Sequence, residues 1–419
     1  MTVSADAGPA PTPVDLCVDA RWIVPVEPEG VLAQHTLVVD GGRIVAIAPT
    51  ASAQREYAPR ERVSLLPGLV NAHTHAAMAL LRGIADDVAL KVWLEQHIWP
   101  REARFVSPDF VHDGTLIAAG EMLLSGITCC ADQYFFPDAA ARAYRQSGIR
   151  AFIGLPVLDF PTPYAADAGG YLQAGLAARD AWKHEPKFAF ALAPHAPYTV
   201  GDSSWEKIVV YARQLDLPIQ THLQETRDEL EQSLGAHAIS PLARLDRLGV
   251  TGPNFIAVHA VHLRDSDVEL LVAQSCQVVH CPSSNLKLAS GIAPVARLKA
   301  RGVNVALGSD GAASNNRLDV LGEARLAALL AKVATGDASA LPASTALRMA
   351  QADAIAVNLA AFQHAPCYDP VSHLVHVASR EQVTEVWIAG KRMVSGGALL
   401  SLDAAELAAR ARLWQDRLQ

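Results

Sequence analysis

The sequence lacks the features that mark several classes of protein. Its formal net charge is −8, and no block of like charges interrupts it. This gives no support to binding of nucleic acid or of an anionic membrane surface. No apolar run approaches the ~20 residues that span a bilayer, and there is no short-period repeat or low-complexity tract. We therefore expect a globular chain whose ligand is a small molecule, with no nucleic-acid or membrane partner.

Cysteine is scarce, with six residues in 419. None is spaced as Cys-x-x-Cys, and two of them are adjacent inside an apolar run. We interpret them as buried thiols of a reducing compartment, not as a disulfide framework or a thiolate zinc site. Met1 to Asp15 has neither the basic nor the apolar region of a signal peptide, so we expect a cytoplasmic location. The cysteines are Cys17, Cys129, Cys130, Cys276, Cys281 and Cys367.

The chain has enough length and apolar content for one large barrel plus an accessory domain, because 51% of its residues are hydrophobic and 19% are charged. Both ends have the pattern of short strands. Near the start these cover residues 16–26, 36–39 and 43–47, with a turn at Asp40-Gly41-Gly42. Near the end they cover 354–357, 374–378 and 383–388. We expect the two termini to join in one small β-sandwich domain.

The middle of the chain alternates strand-like runs with helical segments. Ser107 and Pro108, for example, have the pattern of an N-cap and first residue of a helix. Eight such units predict an α/β fold, a (β/α)8 TIM-type barrel, in which function lies at the C-terminal ends of the strands. The domains expected are 1–65 and 351–419 for the sandwich, with a terminal helix, and 66–350 for the barrel. The eight runs are 66–75, 126–133, 150–158, 188–196, 217–225, 255–262, 277–285 and 304–311.

The first of these runs ends in two histidines, His73 and His75. Strand alternation puts both imidazoles on one face, where they can bind one metal ion. A lone His-x-His is more often an ordinary surface or core pair. Repetition favours the metal, because five later strands also end in polar residues of this kind and therefore predict a shared site. These residues are His195, His222, His259, His280 and Asp310.

The predicted site has the ligands of a mononuclear hydrolytic zinc centre, which needs three or four nitrogen or oxygen donors and one free position. A related binuclear centre would need a carbamylated lysine at the end of a middle strand. Lys183 and Lys187 precede the fourth strand, at the wrong end. One Zn²⁺ per chain is therefore predicted, although the same donors accept Fe²⁺ or Mn²⁺. The predicted ligands are His73, His75, His222 and Asp310.

Glu225 lies three residues beyond His222, at the point where the strand ends. Its carboxylate can rise over the metal site and move a proton. The alternative is a solvated glutamate at the start of a helix. The remaining histidines of the middle and end of the chain are interpreted as solvated or structural: His97, His112, His184, His237, His364, His373 and His376.

Six motifs follow one another along the chain: Pro67-Gly68-Leu69-Val70-Asn71-Ala72-His73-Thr74-His75, Leu81-Arg82-Gly83-Ile84-Ala85-Asp86-Asp87, Pro194-His195-Ala196-Pro197-Tyr198, His222-Leu223-Gln224-Glu225-Thr226, Ser284-Asn285-Leu286-Lys287-Leu288 and Gly308-Ser309-Asp310-Gly311-Ala312-Ala313-Ser314-Asn315-Asn316. In this order they resemble the motifs of the amidohydrolase superfamily, and the resemblance covers nearly the whole chain. More narrowly, the chain is similar to the 5'-methylthioadenosine/S-adenosylhomocysteine deaminases and their chlorohydrolase relatives.

The resemblance implies a zinc-dependent deaminase in which a metal-activated hydroxide attacks C6 of an adenine ring. It implies that the four residues named above bind the metal, and that Asp310 also takes the proton from the attacking water. Glu225 would protonate ring N1. His259 would hold the attacking hydroxide and stabilise developing charge. His195 would contact the substrate.

The resemblance also implies roles for residues around the chemistry. His280 and Asn285 would form the wall of the site or be purely structural. Trp93 and Glu102 match positions of a ribose pocket, where a carboxylate can accept hydrogen bonds from both hydroxyls and an indole gives an apolar wall. The alternative is that Trp93 and Trp99 form the apolar face of a lid helix.

The chain departs from the resemblance in two places. A helix expected after Ala350 is missing, so we expect the last barrel helix to be absent and the closure of the barrel to be affected. The loop after the third strand, residues 154–164, has no arginine to pair with the carboxylate of S-adenosylhomocysteine.

We therefore expect 5'-methylthioadenosine to be the main substrate, with S-adenosylhomocysteine and adenosine as further ones. The alternatives are an s-triazine or guanine hydrolase with the same site, and an inactive barrel scaffold, which should lack ligands. Only a nucleoside has a ribose for Glu102 to hold. The sequence leaves open a homo-oligomer.

Overall fold

The computed structural model describes residues 10–25, 30–63 and 66–419. Residues 1–9, most of the stretch in which no signal peptide was predicted, lie outside the described residues, as does Val26 at the end of the first predicted strand. Within the described ranges, no helix has both the length and the apolar character needed to cross a membrane.

The N-terminal part forms a four-stranded sheet in the order β3-β2-β1-β4. Its central strand β1 pairs antiparallel with β2 and parallel with β4. The predicted turn at Gly41 and Gly42 joins β2 to β3, and a short helix, α1 (Thr50–Glu56), leads into β4. The strands are β1 (Thr12–Ile23), β2 (Leu32–Asp40), β3 (Arg43–Pro49) and β4 (Tyr57–Val63).

Eight parallel strands follow in chain order around a barrel, each beside the next from β5 to β12. All eight predicted strands are present, and the (β/α)8 architecture is confirmed. Seven of the eight predicted runs extend past the C-terminal end of the observed strand because they include residues of the following loop; the second run, 126–133, ends where its strand ends. The strands are β5 (Leu66–Thr74), β6 (Ile127–Gln133), β7 (Arg150–Val157), β8 (Phe188–Pro194), β9 (Ile219–Leu223), β10 (Phe255–His259), β11 (Gln277–His280) and β12 (Asn304–Leu307).

Helices connect these strands and cover the barrel. The predicted N-cap Ser107 accepts a hydrogen bond from the Phe110 N–H, and Pro108 is the first helical residue. The connection after β5 is longer than the others and contains a 3₁₀ turn (Ala76–Leu81), α2 (Leu90–Val92), a π-helical turn (Trp93–Ile98) and α3 (Trp99–Phe105). The other helices up to β12 are α4 (Pro108–Leu124), α5 (Pro137–Ser147), α6 (Ala168–Trp182), α7 (Asp202–Leu215), α8 (Arg227–His237), α9 (Pro241–Arg247), α10 (Asp265–Ala273), α11 (Pro282–Lys287) and α12 (Val295–Ala300).

The expected loss of the last barrel helix is wrong in one respect. β12 is followed by α13 (Ala312–Asn315), the 16-residue α14 (Val320–Thr335) and α15 (Ala343–Arg348), so the eighth unit has helices of its own. The chain then enters β13 (Gln351–Val357) directly, without a helix after Ala350.

The closure of the barrel does differ from the other strand pairs, because β12 and β5 are not neighbours in the ladder. The seam is held instead by Met349 and Ala350, whose carbonyls accept the N–H groups of Leu307 (2.8 Å) and Val70 (2.7 Å). Nearer the C-terminal ends of the two strands, the Asp310 N–H donates to the carbonyl of His73, at 3.0 Å.

Gly308 allows this close approach of the two strands at the seam. A Cβ atom on Gly308 would lie 2.9 Å from both the backbone nitrogen and the carbonyl oxygen of His73. Beside it, Asn71 and Ser309 exchange hydrogen bonds of 2.7 and 2.8 Å. The seam therefore fixes the predicted ligands at the ends of β5 and β12 relative to each other.

The two termini come together, as predicted. β13, β14 (Val383–Ile388), β15 (Lys391–Ser395) and β16 (Ala398–Leu399) continue the barrel sheet as antiparallel strands. Buried side chains of β1 and β2 pack against Ala356 and Trp387 of this extension. The turn at Gly42 touches the turn at Gly390, which joins β14 to β15. Both glycines have positive φ, and a Cβ on Gly42 would lie 2.8 Å from the Ala389 carbonyl oxygen. The domain limits 1–65, 66–350 and 351–419 stay a prediction.

The strand predicted at 374–378 is wrong. This segment lies in α16 (Pro370–His376), where Asp369 accepts a hydrogen bond from the Val371 N–H at 2.9 Å. An aspartate cap followed by proline starts a helix, and this local signal outweighs the short apolar run. The chain ends in α17 (Ala404–Leu418).

None of the six cysteines is joined in a disulfide bond. Four of them are buried. Cys129 and Cys367 are partly exposed, which corrects the expectation that every thiol is buried.

Candidate active site

The predicted polar residues meet at the C-terminal ends of the barrel strands. His73 lies within the last two residues of β5, His222 is the penultimate residue of β9, and His259 is the last residue of β10. Asp310 follows β12 by three residues. Because parallel strands end at the same face of a barrel, residues far apart in sequence are brought into one cluster.

Four donor atoms of the predicted metal ligands converge in this cluster. The Nε2 atom of His222 lies 3.2 Å from the Nε2 atoms of both His73 and His75. Oδ1 of Asp310 lies 3.5 Å from Nε2 of His73 and 3.2 Å from Nε2 of His75. His73, His222 and Asp310 are buried, and His75 is half-buried.

The hydrogen bonds of the Nδ1 atoms determine which ring nitrogens present a lone pair to the cluster. Nδ1 of His75 is 2.5 Å from the Gln133 carbonyl, and Nδ1 of His222 is 2.6 Å from the His195 carbonyl. A carbonyl only accepts, so both Nδ1 atoms donate, and a neutral ring then carries its lone pair on Nε2. Two lone pairs that face each other at 3.2 Å repel unless a cation lies between them. The donor set therefore fits one divalent metal ion.

The protonation of the cluster agrees with this interpretation. Burial lowers the pKa of His73 to about 4, against an opposing hydrogen bond with Asp310. Burial also places the pKa of His222 well below its usual value, with neighbouring histidines adding to the shift. Burial opposes ionisation of Asp310, but the hydrogen bond with His73 and the nearby histidine charges bring its pKa well below the usual range. Neutral imidazoles with an ionised carboxylate are the forms that bind a metal ion.

Asp310 is held in place by hydrogen bonds from three neighbours. Ser284 and Ser314 donate their hydroxyls to Oδ2 at 2.6 and 2.9 Å, and the Gly311 N–H donates to Oδ1 at 2.8 Å. Such outer contacts orient a metal ligand and keep it ionised. Both serines lie in motifs noted in the sequence, but no role was predicted for them.

Glu225 and His259 face each other beside the metal cluster, as the sequence predicted for residues that act on the substrate. Oε2 of Glu225 lies 3.6 Å from Nε2 of His259, and the Ser290 hydroxyl donates to Oε1 at 3.2 Å. Burial raises the pKa of Glu225 despite the opposing His259 charge. Burial works against a charge on His259, but the carboxylates of Glu225 and Asp310 and a contact with Asn285 raise its pKa.

Neither Asn285 nor His280 lines the cavity described below, and only Asn285 makes a hydrogen bond to a predicted catalytic residue. Its Oδ1 atom is 2.8 Å from Nδ1 of His259, so this nitrogen donates and the ring is oriented toward Glu225. His280 is buried, and burial lowers its pKa to about 3. Its backbone carbonyl accepts the Gly308 N–H at 3.0 Å, and its Nδ1 atom has no hydrogen-bond partner among the described residues.

A cavity of about 320 Å³ opens above the metal cluster. It is lined by His75, His222 and Asp310 of the cluster, by Glu225 and His259, and by Trp93 and Glu102 from the long connection between β5 and β6, here called the lid connection. Trp93 and Glu102 are 4% and 9% exposed, so a charged and an aromatic side chain are buried together in a wall that is otherwise mostly apolar. The sequence placed both residues in a substrate pocket, and the structure brings them to the cavity.

Tyr134 is a cavity residue that the sequence reasoning missed. Its hydroxyl donates to Oε1 of Glu102 at 2.6 Å, which leaves Oε2 for another partner. Burial raises the pKa of Glu102, and this hydrogen bond opposes the shift. Tyr134 directly follows the last residue of β6, so its place at a strand end was the signal that could have identified it.

His195 also lines the cavity, as expected for a substrate contact. Its ring centroid is 5.0 Å from that of His222, and its Nδ1 lies 3.1 Å from the Thr199 hydroxyl. Burial lowers its pKa to about 3, so the ring is neutral. None of the histidines interpreted as solvated or structural lines this cavity; they are His97, His112, His184, His237, His364, His373 and His376.

Comparison with known proteins places the chain among enzymes with this arrangement. The Amidohydrolase family pattern matches residues 64–393. A 5-methylthioadenosine/S-adenosylhomocysteine deaminase of Teredinibacter turnerae is 43% identical over 97% of this chain and 98% of the relative. One of the same name from Saccharophagus degradans is 42% identical, with 97% and 98% covered.

Solved structures agree with the fold. An adenosine deaminase from Xanthomonas campestris with bound zinc superposes with a TM-score of 0.95, at 44% identity over 97% of this chain and 99% of that chain. An atrazine chlorohydrolase from Arthrobacter aurescens shares the fold alone, with a TM-score of 0.87 and 22% identity over 95% and 99% of the two chains. From the barrel, the ligand cluster and these comparisons together, the chain belongs to the amidohydrolase family of metal-dependent enzymes.

Proposed function

We propose that the protein hydrolytically deaminates the adenine ring of 5'-methylthioadenosine, with S-adenosylhomocysteine and adenosine as further substrates, to give the inosine analogue and ammonia. The observation that carries this proposal is one cavity in which the metal cluster, the Glu225–His259 pair and the buried Glu102 all meet. A hydrolytic site alone fits many ring substrates. A buried carboxylate away from the metal cluster adds a place for sugar hydroxyls.

We infer that His73, His75, His222 and Asp310 bind one Zn²⁺, because the Xanthomonas campestris relative has bound zinc. The same donors also accept Fe²⁺ or Mn²⁺. When bound, the ion supplies Lewis-acid activation of the attacking water. The side chains supply the proton transfers that hydrolysis of an amidine also requires.

Each of these side chains has a task that its contacts support. Burial raises the pKa of Glu225, which favours this carboxyl as the group that delivers a proton to ring N1 as C6 becomes tetrahedral. Asp310, ionised and held by two serine hydroxyls, accepts a proton from the attacking water. His259, oriented by Asn285, stabilises the charge that develops at the attacked carbon. His195, a neutral ring in the cavity wall, contacts the purine.

The alternative substrates are s-triazines and guanine, and the experiment that separates them is ammonia release from a panel of aminopurine nucleosides, guanine and aminotriazines. The atrazine chlorohydrolase likeness concerns the fold only. Glu102 favours the nucleosides, because its free Oε2 and the buried Trp93 Nε1, which has no hydrogen-bond partner within the described ranges, are an acceptor and a donor at one end of the cavity. A catalytically inactive scaffold is disfavoured because the complete ligand set is assembled.

Replacement of Glu102 by alanine is expected to weaken nucleosides far more than ring analogues without a ribose. A hydrogen bond to a buried carboxylate contributes about 1.5–3 kcal/mol, so the loss in kcat/KM should be roughly tenfold to a hundredfold for adenosine. The measurement compares adenosine with 2',3'-dideoxyadenosine. Glu95→Ala, which removes an exposed glutamate of the same lid segment, is the matched control. Equal losses for both nucleosides would argue against a ribose contact.

The pocket around the 5' substituent of the nucleoside is expected to discriminate between 5'-methylthioadenosine and S-adenosylhomocysteine. Leu158, Phe160, Pro161 and Pro163 of the loop after β7 line the cavity. The described residues that line it include no arginine or lysine. These apolar side chains can cover a methylthio group but offer no charge-assisted partner to a carboxylate. Leu155 and Val157, near the end of β7, do not line the cavity and are buried.

We therefore expect kcat/KM to be at least about tenfold higher for 5'-methylthioadenosine than for S-adenosylhomocysteine, or about 1.4 kcal/mol in transition-state binding. The two nucleosides should be supplied together in one reaction and their consumption followed separately. Equal consumption, or a preference for S-adenosylhomocysteine, would mean that a basic group from elsewhere reaches the tail.

A further inference from the structure

Glu225 leaves the strand through a strained turn, and the peptide group before it fixes the direction of its side chain. Gln224 has a left-handed backbone, with φ of 47°. This conformation is strained for a non-glycine residue and persists only where neighbours hold it. The peptide that joins Gln224 to Glu225 is therefore a point where the aim of the catalytic carboxylate can be lost.

Both polar ends of this peptide group are hydrogen-bonded. The Gln224 carbonyl accepts the N–H groups of Val261 (3.1 Å) and His262 (2.9 Å) from the loop after β10. The Glu225 N–H, at the other end of the same peptide, donates to Oε2 of Glu229 at 2.9 Å. Rotation of the peptide would break all three bonds. Glu229 is the side chain that accepts the hydrogen bond from the Glu225 N–H.

Glu229 is an unusual residue for the start of a helix. It lies at the third position of α8, where a glutamate normally bonds the N–H of the capping residue. Here the cap Thr226 accepts the Glu229 N–H at 3.3 Å, but the Glu229 carboxylate reaches past Thr226 to Glu225. It is 6% exposed, and its Oε1 has no hydrogen-bond partner among the residues that the structure describes.

Burial of the Glu229 carboxyl is energetically costly, and capping a helix does not require it. Burial raises the pKa of Glu229 to about 7, against the N–H bonds of Gln224 and Glu225, and the nearby Glu225 charge adds to the increase. A threonine or serine cap satisfies a helix end without such a cost. The contact with Glu225 is what the buried carboxyl provides beyond capping.

We propose that Glu229 is a positioning residue for the reaction: it holds the Gln224–Glu225 peptide so that the Glu225 carboxyl faces His259 and the substrate ring. This inference rests on the proposed role of Glu225, and it adds a second residue on which that role depends. Glu229 does not line the cavity over the metal cluster, so it acts through Glu225 and not on the substrate.

The test compares three variants by kcat, KM and metal content with 5'-methylthioadenosine. Glu229→Met keeps the side-chain volume but removes the acceptor. We expect kcat to fall roughly tenfold to a hundredfold, the scale of a misplaced catalytic group, with KM changed less than about threefold and metal content unchanged. Glu229→Gln keeps an acceptor oxygen and should restore kcat to within about threefold of wild type.

Thr226→Ala is the matched control, because it removes the other cap of the same helix without touching the Glu225 N–H. It should lower the midpoint of thermal unfolding as much as Glu229→Met while leaving kcat near wild type. Equal losses of kcat in Thr226→Ala and Glu229→Met, or an unchanged kcat in Glu229→Met, would overturn the inference. Loss of the metal in Glu229→Met would also overturn it.

Amide hydrogen exchange tests the same inference without any substrate. The Glu225 amide should be protected in the wild type, in Glu229→Gln and in Thr226→Ala, and should exchange at least about tenfold faster in Glu229→Met. If Glu229→Met does not fold, Glu229→Asp, whose shorter side chain draws the acceptor back, should show the faster exchange. Protection that is unchanged in the folded variant overturns the inference. A wild-type protein with a protected amide but no deamination would instead overturn the proposed function.

Discussion

Removal of the metal is expected to abolish turnover while most of the barrel stays folded. The purified protein should contain about one divalent ion per chain. Two groups of possible metal ligands converge in the described structure, His73–His222–His259 and His73–His75–Asp310, and because they share His73 they form a single site. Zinc is the expected ion. Metal analysis of the purified protein, before and after treatment with a chelator, measures both the identity and the number.

The fold should survive removal of the metal because hydrogen bonds with surrounding residues hold the ligands in place. Nδ1 of His75 and of His222 donate to backbone carbonyls, and Asp310 is fixed by Ser284 and Ser314. Circular dichroism should therefore retain the helical signal of the metal-free protein. Addition of Zn²⁺ should restore turnover. Two ions per chain, or full activity after verified removal, would contradict the single-metal site.

Glu225→Gln is expected to lower kcat roughly a hundredfold or more while the protein keeps its metal, the usual scale for loss of a general acid or base. The amide has the same size and can still accept the Ser290 hydroxyl, which donates to Oε1 in the wild type. It cannot deliver a proton to ring N1. The packing around the position should therefore change little, and the loss should appear in the chemical step.

The measurement is kcat with 5'-methylthioadenosine beside metal content and the midpoint of thermal unfolding. Glu231→Gln, an exposed glutamate of the following helix, is the control for a carboxyl-to-amide change in the same region. If Glu225→Gln loses its metal, Glu225 is a ligand and its role here is wrong. A kcat near wild type would remove Glu225 from the chemistry.

The convergence of the predicted metal ligands could be expected from the sequence because strand periodicity determines where these residues lie. His73 and His75 follow an apolar run at a spacing of two, and His222, His259 and Asp310 end later runs of the same kind. Parallel strands of a barrel all present their C-terminal ends at one face. The cluster therefore follows from local patterns plus one global rule, without knowledge of any loop conformation.

Residues that depend on contacts between loops could not be predicted in the same way. Ser290 reaches Glu225 only because the loop after α11 folds back across the barrel mouth, where His262 contacts its carbonyl at 2.7 Å. Tyr134 has the correct position at a strand end, but its partner Glu102 lies on the lid connection. Such pairs have no period in the sequence, so the structure is needed to find them.

Backbone hydrogen bonds and one helix start could not be predicted from the sequence patterns either. The seam of the barrel is bridged by the carbonyls of Met349 and Ala350, and backbone carbonyls carry no residue-specific signal. Likewise, the apolar run at 374–378 has the composition of a strand, and its position after Asp369 and Pro370 makes it part of a helix. Caps and close backbone contacts decided both cases.

The central claim is tested most directly by ammonia release from 5'-methylthioadenosine by the metal-loaded protein, measured together with the inosine analogue that forms. The account predicts one ammonia for each nucleoside consumed, and a loss of both products in Glu225→Gln. The contradictory result is a metal-loaded, folded protein that releases no ammonia from 5'-methylthioadenosine, S-adenosylhomocysteine or adenosine, yet hydrolyses an aminotriazine or guanine.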